Sequence, residues 1–133
     1  MNKSIAFVCV GNSCRSQIAE GFAKQIGGDI LDVYSAGTHP ADKVDSNAVE
    51  VMKEVGIDIS MQYPKLLDAI PFEVDILIKM GCEVVCPIIE NDREEDWQIE
   101  DPVGKPIEEF RRIREIIRQK VTDIVKDIKM QMN

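Results

Sequence analysis

Apolar positions change their spacing several times along the chain, and each change marks an element. Ile5 to Val10 is an unbroken apolar run, too short for a helix and bounded by Gly11 and Asn12, which predicts a buried strand. From Ser16 onward the spacing becomes three and four. Ile18, Ala19, Phe22, Ala23 and Ile26 then share one face of a helix that Gly27-Gly28 stops. Ile30 to Ser35 predicts a second strand, closed by the turn Ala36-Gly37. Asp45 or Ser46 can cap a helix that runs to about Val55, with Val49, Met52 and Val55 partly inward, before Gly56 ends it. Ile57 to Pro64 reads as loop, and Lys65 to Ala69 as a short helix before Pro71. Val74 to Ile78 is nearly all apolar, the pattern of a strand buried on both faces. Gly81 to Glu95 has no period, and Asp96 to Ile99 predicts a short fourth strand. The last helix starts at Pro106, where Ile107, Phe110, Ile113, Ile117, Val121, Ile124 and Ile128 form one long stripe. Its acidic first turn, Glu108-Glu109, suits the helix dipole.

Strands that alternate with helices predict an α/β fold: a single doubly wound domain spanning residues 1–133, with a four-stranded parallel sheet flanked by helices. Ligands of such folds bind beyond the carboxyl ends of the strands. Cys9 after the first strand, Cys82 after the third and Asp101 after the fourth would meet at that edge.

Composition narrows the setting. The 133 residues are 44% hydrophobic and 30% charged, ordinary for a globular protein, and the net charge of −8 argues against nucleic acid and anionic membranes as partners. There is no 18-residue apolar span and no signal-peptide pattern, so a cytoplasmic location is expected. The four cysteines would be reduced there, and cysteines in such a compartment are more often catalytic, redox-active or metal-binding than staples.

Chemistry concentrates in the seven residues from Cys9 to Arg15, which must turn the chain from strand end to helix start. Such a turn stacks backbone N–H groups around one spot at the positive end of the helix dipole, a place for an anion. Val10, Gly11, Asn12, Ser13, Cys14 and Arg15 are therefore the expected oxyanion-binding residues. Arg15 can grip two oxygens of a tetrahedral oxyanion with its planar fork, and Asn12 tolerates positive φ. Cys9 would face the same spot as a nucleophile, its thiolate favoured by the helix terminus and Arg15. Ser16 can cap the helix and donate to the sulfur.

Cys-x5-Arg-Ser with its interior Gly-Asn-x-Cys resembles the phosphate loop of the low-molecular-weight protein tyrosine phosphatases and of the thioredoxin-coupled arsenate reductases built on the same fold. The longer string CVGNSCRSQIAEGFAK and the following VYSAGT at Val33 to Thr38 are more similar to the reductases. The resemblance implies that Asp101, in Asp101-Pro102, is a general acid. It further implies a relay in which Cys9 attacks arsenate, Cys82 attacks the Cys9 adduct as arsenite leaves, and Cys86 resolves the Cys9–Cys82 disulfide. Thioredoxin or a similar dithiol would then reduce Cys82–Cys86. Phosphate and sulfate would compete with arsenate, no cofactor would be needed, and the protein would act as a monomer.

The chain departs from that pattern in places. Only three residues separate Cys82 from Cys86, so the pair could sit on consecutive helical turns or in a loop that lets Cys82 reach Cys9. Of the residues with which some reductases bind potassium, Asn12, Glu20 and Ser35 match, but Lys65 stands where an Asp is expected, so no potassium site is predicted. Zinc on the four cysteines is disfavoured by Arg15. Cys14 reads first as a packed thiol and second as a redox partner of Cys9, and His39 as an exposed loop residue. The phosphatase alternative would share Cys9, Arg15, Ser16 and Asp101. It lacks an aromatic wall here, because Val103-Gly104 follows Asp101-Pro102. A module that binds an anion while Cys9 does no chemistry would share the loop as well.

Overall fold

The computed structural model describes residues 2–81 and 88–132. Four strands, β1 (Lys3–Cys9), β2 (Leu31–Gly37), β3 (Ile76–Lys79) and β4 (Arg93–Asp96), form one sheet in the order β2-β1-β3-β4, and every pairing is parallel. Three helices, α1 (Arg15–Gly27), α2 (Ser46–Lys53) and α3 (Ile107–Gln131), complete the α/β fold with a 3-10 turn at Leu67–Ala69. Asp45 caps α2 by accepting the Asn47 N–H at 2.8 Å, as its short acidic side chain allows.

The alternation of β1 divides the core. Ile5, Phe7 and Cys9 point to the face where buried residues of all three helices gather, including Ile18 and Phe22 of α1, Met52 of α2, and Phe110, Ile113 and Ile117 of α3. Ala6 and Val8 point to the other face, covered by a smaller cluster with Ile70, Val74 and Leu77. The stripe on α3 is thus used internally: Phe110, Ile117 and Val121 are fully buried.

Two strands lie off their expected positions. β3 starts two residues later than the apolar run, because Val74 is occupied in a bridge region beside Glu90, whose carbonyl accepts its N–H at 2.9 Å. β4 is Arg93–Asp96 rather than residues 96–99. It pairs only with β3, so as an edge strand it carries a charged sequence whose residues alternate between half-buried and exposed. The apolar Trp97 and Ile99 that suggested a strand instead follow it into the core, and the Trp97 ring lies 5.9 Å from that of Phe7.

Candidate active site

The carboxyl ends of the strands meet at one edge: Cys9 is in register with Gly37, Val8 with Lys79, and Lys79 with Asp96. From that edge the chain must enter α1 within five residues, and backbone bonds dictate how the loop turns. The carbonyls of Cys9, Val10, Gly11 and Ser13 accept the N–H groups of Thr38, His39, Ala41 and Asp45, at 3.2, 2.9, 2.9 and 2.8 Å. The Cys14 carbonyl takes the Ile18 N–H at 2.8 Å, and the Asn12 carbonyl takes the Gln17 side chain at 3.0 Å. Every carbonyl from Cys9 to Cys14 is therefore engaged by surrounding structure. Among the described residues, the N–H groups of Gly11, Ser13 and Cys14 have no protein acceptor. A row of backbone donors left over at a helix N-terminus is an anion cradle. The strap from Thr38 to Asp45 can press this close because of Gly37, where a Cβ would stand 2.5 Å from the Val10 carbonyl oxygen.

Asn12 is the centre of the loop. It is fully buried with φ of 48°, and Lys65 N–H donates to its Oδ1 at 2.9 Å, which fixes its amide orientation. Its Nδ2 donates to Ser16 Oγ at 2.7 Å and to Ser35 Oγ at 3.1 Å. Ser16, having accepted from Asn12, has its own hydrogen free for Cys9 Sγ, 2.9 Å away. The Asn12 N–H donates to the same sulfur at 3.2 Å. Two donors thus hold the Cys9 sulfur in a fixed place beside the cradle. Ser16 does not cap α1, contrary to expectation: it lies inside the helix, the cap position falls on Cys14, and no side chain caps it.

Ser35 in turn donates to Glu20, whose carboxylate is also met by Lys24 Nζ at 2.6 Å and by Lys65 Nζ at 3.6 Å. The four residues compared with a potassium site therefore do come together, and they do not fit a metal cation, since the Lys65 ammonium already stands beside the carboxylate. Among the described residues no group of three or more His, Cys, Asp and Glu side chains could hold a metal ion.

Arg15 is buried at the start of α1. Its Nη1 donates to the carbonyls of Met80 and Ile99 at 2.7 and 2.8 Å, and its Nη2 lies 3.9 Å from the Asp101 carboxylate. One guanidinium therefore ties the loop to the segments leaving β3 and β4. Asp101, whose side chain is 53% exposed, accepts the Val103 N–H at 3.0 Å. Cys14 is buried, and desolvation, reinforced by Asp101 and Asp45, pushes its thiol well up. His39 is exposed as expected. Cys82 and Cys86 lie outside the described residues.

Sequence reasoning passed over Gln17, which is fully buried and donates to the Asn12 and Tyr63 carbonyls, both at 3.0 Å. It also missed the strap. Neither leaves a sequence signal: Gln17 looks like any polar position on a helix start, and the strap works through backbone N–H groups alone.

A family model described as low molecular weight phosphotyrosine protein phosphatase matches residues 4–133, and the chain belongs to that family. It is 48% identical over 122 residues to an arsenate reductase of Staphylococcus aureus (strain Newman), covering 87% of this chain and 91% of that protein. A solved structure of an arsenate reductase in the phosphate binding state superposes with a TM-score of 0.88 at 39% identity, covering 95% of this chain and 98% of the other. A thioredoxin-dependent arsenate reductase of Corynebacterium glutamicum gives a TM-score of 0.79 at 30% identity, covering 98% of this chain and 63% of that one.

Proposed function

We propose that this protein reduces arsenate to arsenite, with Cys9 as the nucleophile and a thioredoxin-type dithiol as the final reductant. The observation that carries the reading is a cysteine sulfur held by two donors beside a cradle whose carbonyls are all engaged elsewhere. The N–H groups left over in the loop, those of Gly11, Ser13 and Cys14, and the Arg15 fork would hold the oxyanion, while the Asn12 N–H stays on the Cys9 sulfur. The Cys9 thiolate attacks arsenic(V), forming an S–As bond, and the departing oxygen leaves as water on a proton from Asp101. Cys82 then attacks the Cys9 sulfur. An S–S bond forms, the S–As pair stays on arsenic, and arsenite leaves as arsenic(III). Cys86 attacks Cys82, which frees Cys9, and an external dithiol takes over the disulfide by exchange. A thiol-reducing cytoplasm suits this cycle. The similarity to reductases and the pair Cys82 and Cys86 favour it over phosphate ester hydrolysis as the main activity.

The test is arsenite release from arsenate in the presence of thioredoxin and its reductase. Wild type should turn over, and Cys82→Ser and Cys86→Ser should each stop cycling while still hydrolysing an aryl phosphate through Cys9. If arsenate is never reduced and both variants cleave aryl phosphate like wild type, the protein is a phosphatase carrying two incidental cysteines.

A further inference from the structure

The grip of Arg15 depends on a residue with no side chain. Gly81 follows the Met80 carbonyl that Arg15 binds, and it holds φ of +89°, a conformation L side chains rarely adopt. A Cβ built there would stand 2.6 Å from Arg15 Nη1 and 3.4 Å from the Ile99 carbonyl oxygen. Those are the donor and the acceptor of the bond that ties Arg15 to the segment before Asp101. We infer that Gly81 is a positioning residue for oxyanion binding: its bare Cα lets the guanidinium seat between the Met80 and Ile99 carbonyls, aimed at the cradle. This inference rests on the reading of Arg15 as the oxyanion fork.

Binding is separable from folding at this position. Nη1 is the far end of a long side chain, so a methyl group at position 81 can push it aside without rebuilding the core. The displaced fork then loses both carbonyls and its aim, and a bidentate grip on a tetrahedral anion tolerates little displacement. Gly56 supplies a control for backbone strain. Its φ is +81°, and an added Cβ would meet nothing within 4 Å.

Inorganic phosphate is the probe, read as a competitive inhibitor of aryl phosphate hydrolysis and by calorimetric titration. Gly81→Ala should weaken phosphate binding about tenfold or more, and Gly56→Ala less than about twofold, although both put alanine at positive φ. Arg15→Lys should weaken binding on its own, and adding Gly81→Ala to it should cost less than about twofold more, since there is then no fork to displace. Asparagine accepts positive φ more readily, so Gly81→Asn separates contact from strain and decides the matter if the alanine variant does not fold. Wild-type phosphate affinity in the folded Gly81 variants, or an undiminished Gly81→Ala effect in the Arg15→Lys background, overturns the inference and leaves the oxyanion reading standing. Unchanged phosphate affinity in Arg15→Lys alone overturns both.

Discussion

Asn12 and Asp101 belong to the same site and are held in opposite ways. Asn12 is fully buried, and both polar atoms of its side chain are bonded, to Ser16, Ser35 and Lys65. Asp101 is more than half exposed, takes one hydrogen bond from the backbone of Val103, and approaches Arg15 only at 3.9 Å. The difference suits the roles proposed for the two residues. A loop that presents N–H groups to an anion gains from having its geometry settled before the anion arrives. A group that gives up a proton and lets water leave needs solvent at hand. On the proposed reading, the site is rigid where it would bind the anion and wet where it would exchange a proton.

Breaking the rigid side should produce the largest combined effect. Asn12→Ala leaves the half-buried Lys65 N–H without its acceptor, removes both donors to the buried Ser16 and Ser35 hydroxyls, and puts alanine at φ of 48°. Buried groups left unpaired and a strained φ together amount to about 3 kcal/mol. Thermal unfolding should move down by roughly 10 °C, and kcat/KM for an aryl phosphate should fall at least ~100-fold as the loop loses its shape. A variant with normal stability and activity would show that the network is not what fixes the loop.

How far the sequence foretells this contrast depends on which atoms carry it. Cys9, Arg15 and Asp101 are legible because strand, turn and helix periodicities place them at one sheet edge, and their side-chain chemistry is distinctive. The long stripe of α3 is legible for the same periodic reason. The closure of the loop by Thr38, His39, Ala41 and Asp45 is not, because those residues act through backbone N–H groups that any residue type but proline could supply. Strand β4 lies ahead of its expected position because an edge strand has little apolar content to mark it, whereas the buried Trp97 and Ile99 beyond it carry a strand-like apolar pattern. The meeting of Lys65 with Glu20 joins residues 45 positions apart, and spacing alone does not reveal it.

The wet side should break differently. Asp101→Asn removes the proton but keeps the size, the acceptor for Val103 and most of the surroundings. General acid catalysis contributes about 10²–10⁴-fold, so kcat for an aryl phosphate with a poor leaving group should fall within that range. A good leaving group needs no proton and should be much less affected. Thermal stability should stay within about 2 °C of wild type, because an exposed carboxylate 3.9 Å from its partner contributes little to folding. A large loss of stability would move Asp101 to the rigid side of the comparison.

Glu54 sharpens the contrast with the smallest effect of the three. It is a carboxylate at the surface, like Asp101, yet it is clasped: Arg111 and Arg114 of α3 donate to it at 2.8 and 2.7 Å across the α2–α3 contact. Hydrogen bonds from Arg111 first and Arg114 second pull its pKa down from 4.5 to about 2. The folded state thus holds the charged form more firmly than the unfolded chain does. Its contribution to stability is present in full above the unfolded value and is lost as pH falls from about 4.5 through about 2. The gap in unfolding temperature between wild type and Glu54→Gln should therefore be a few degrees at pH 7, hold that size down to about pH 5, and close as pH approaches 2. A gap that persists undiminished at pH 2 would assign it to packing between α2 and α3 rather than to charge. Asp101→Asn should show no comparable gap at pH 7, since Asp101 has one distant cation where Glu54 has two in contact.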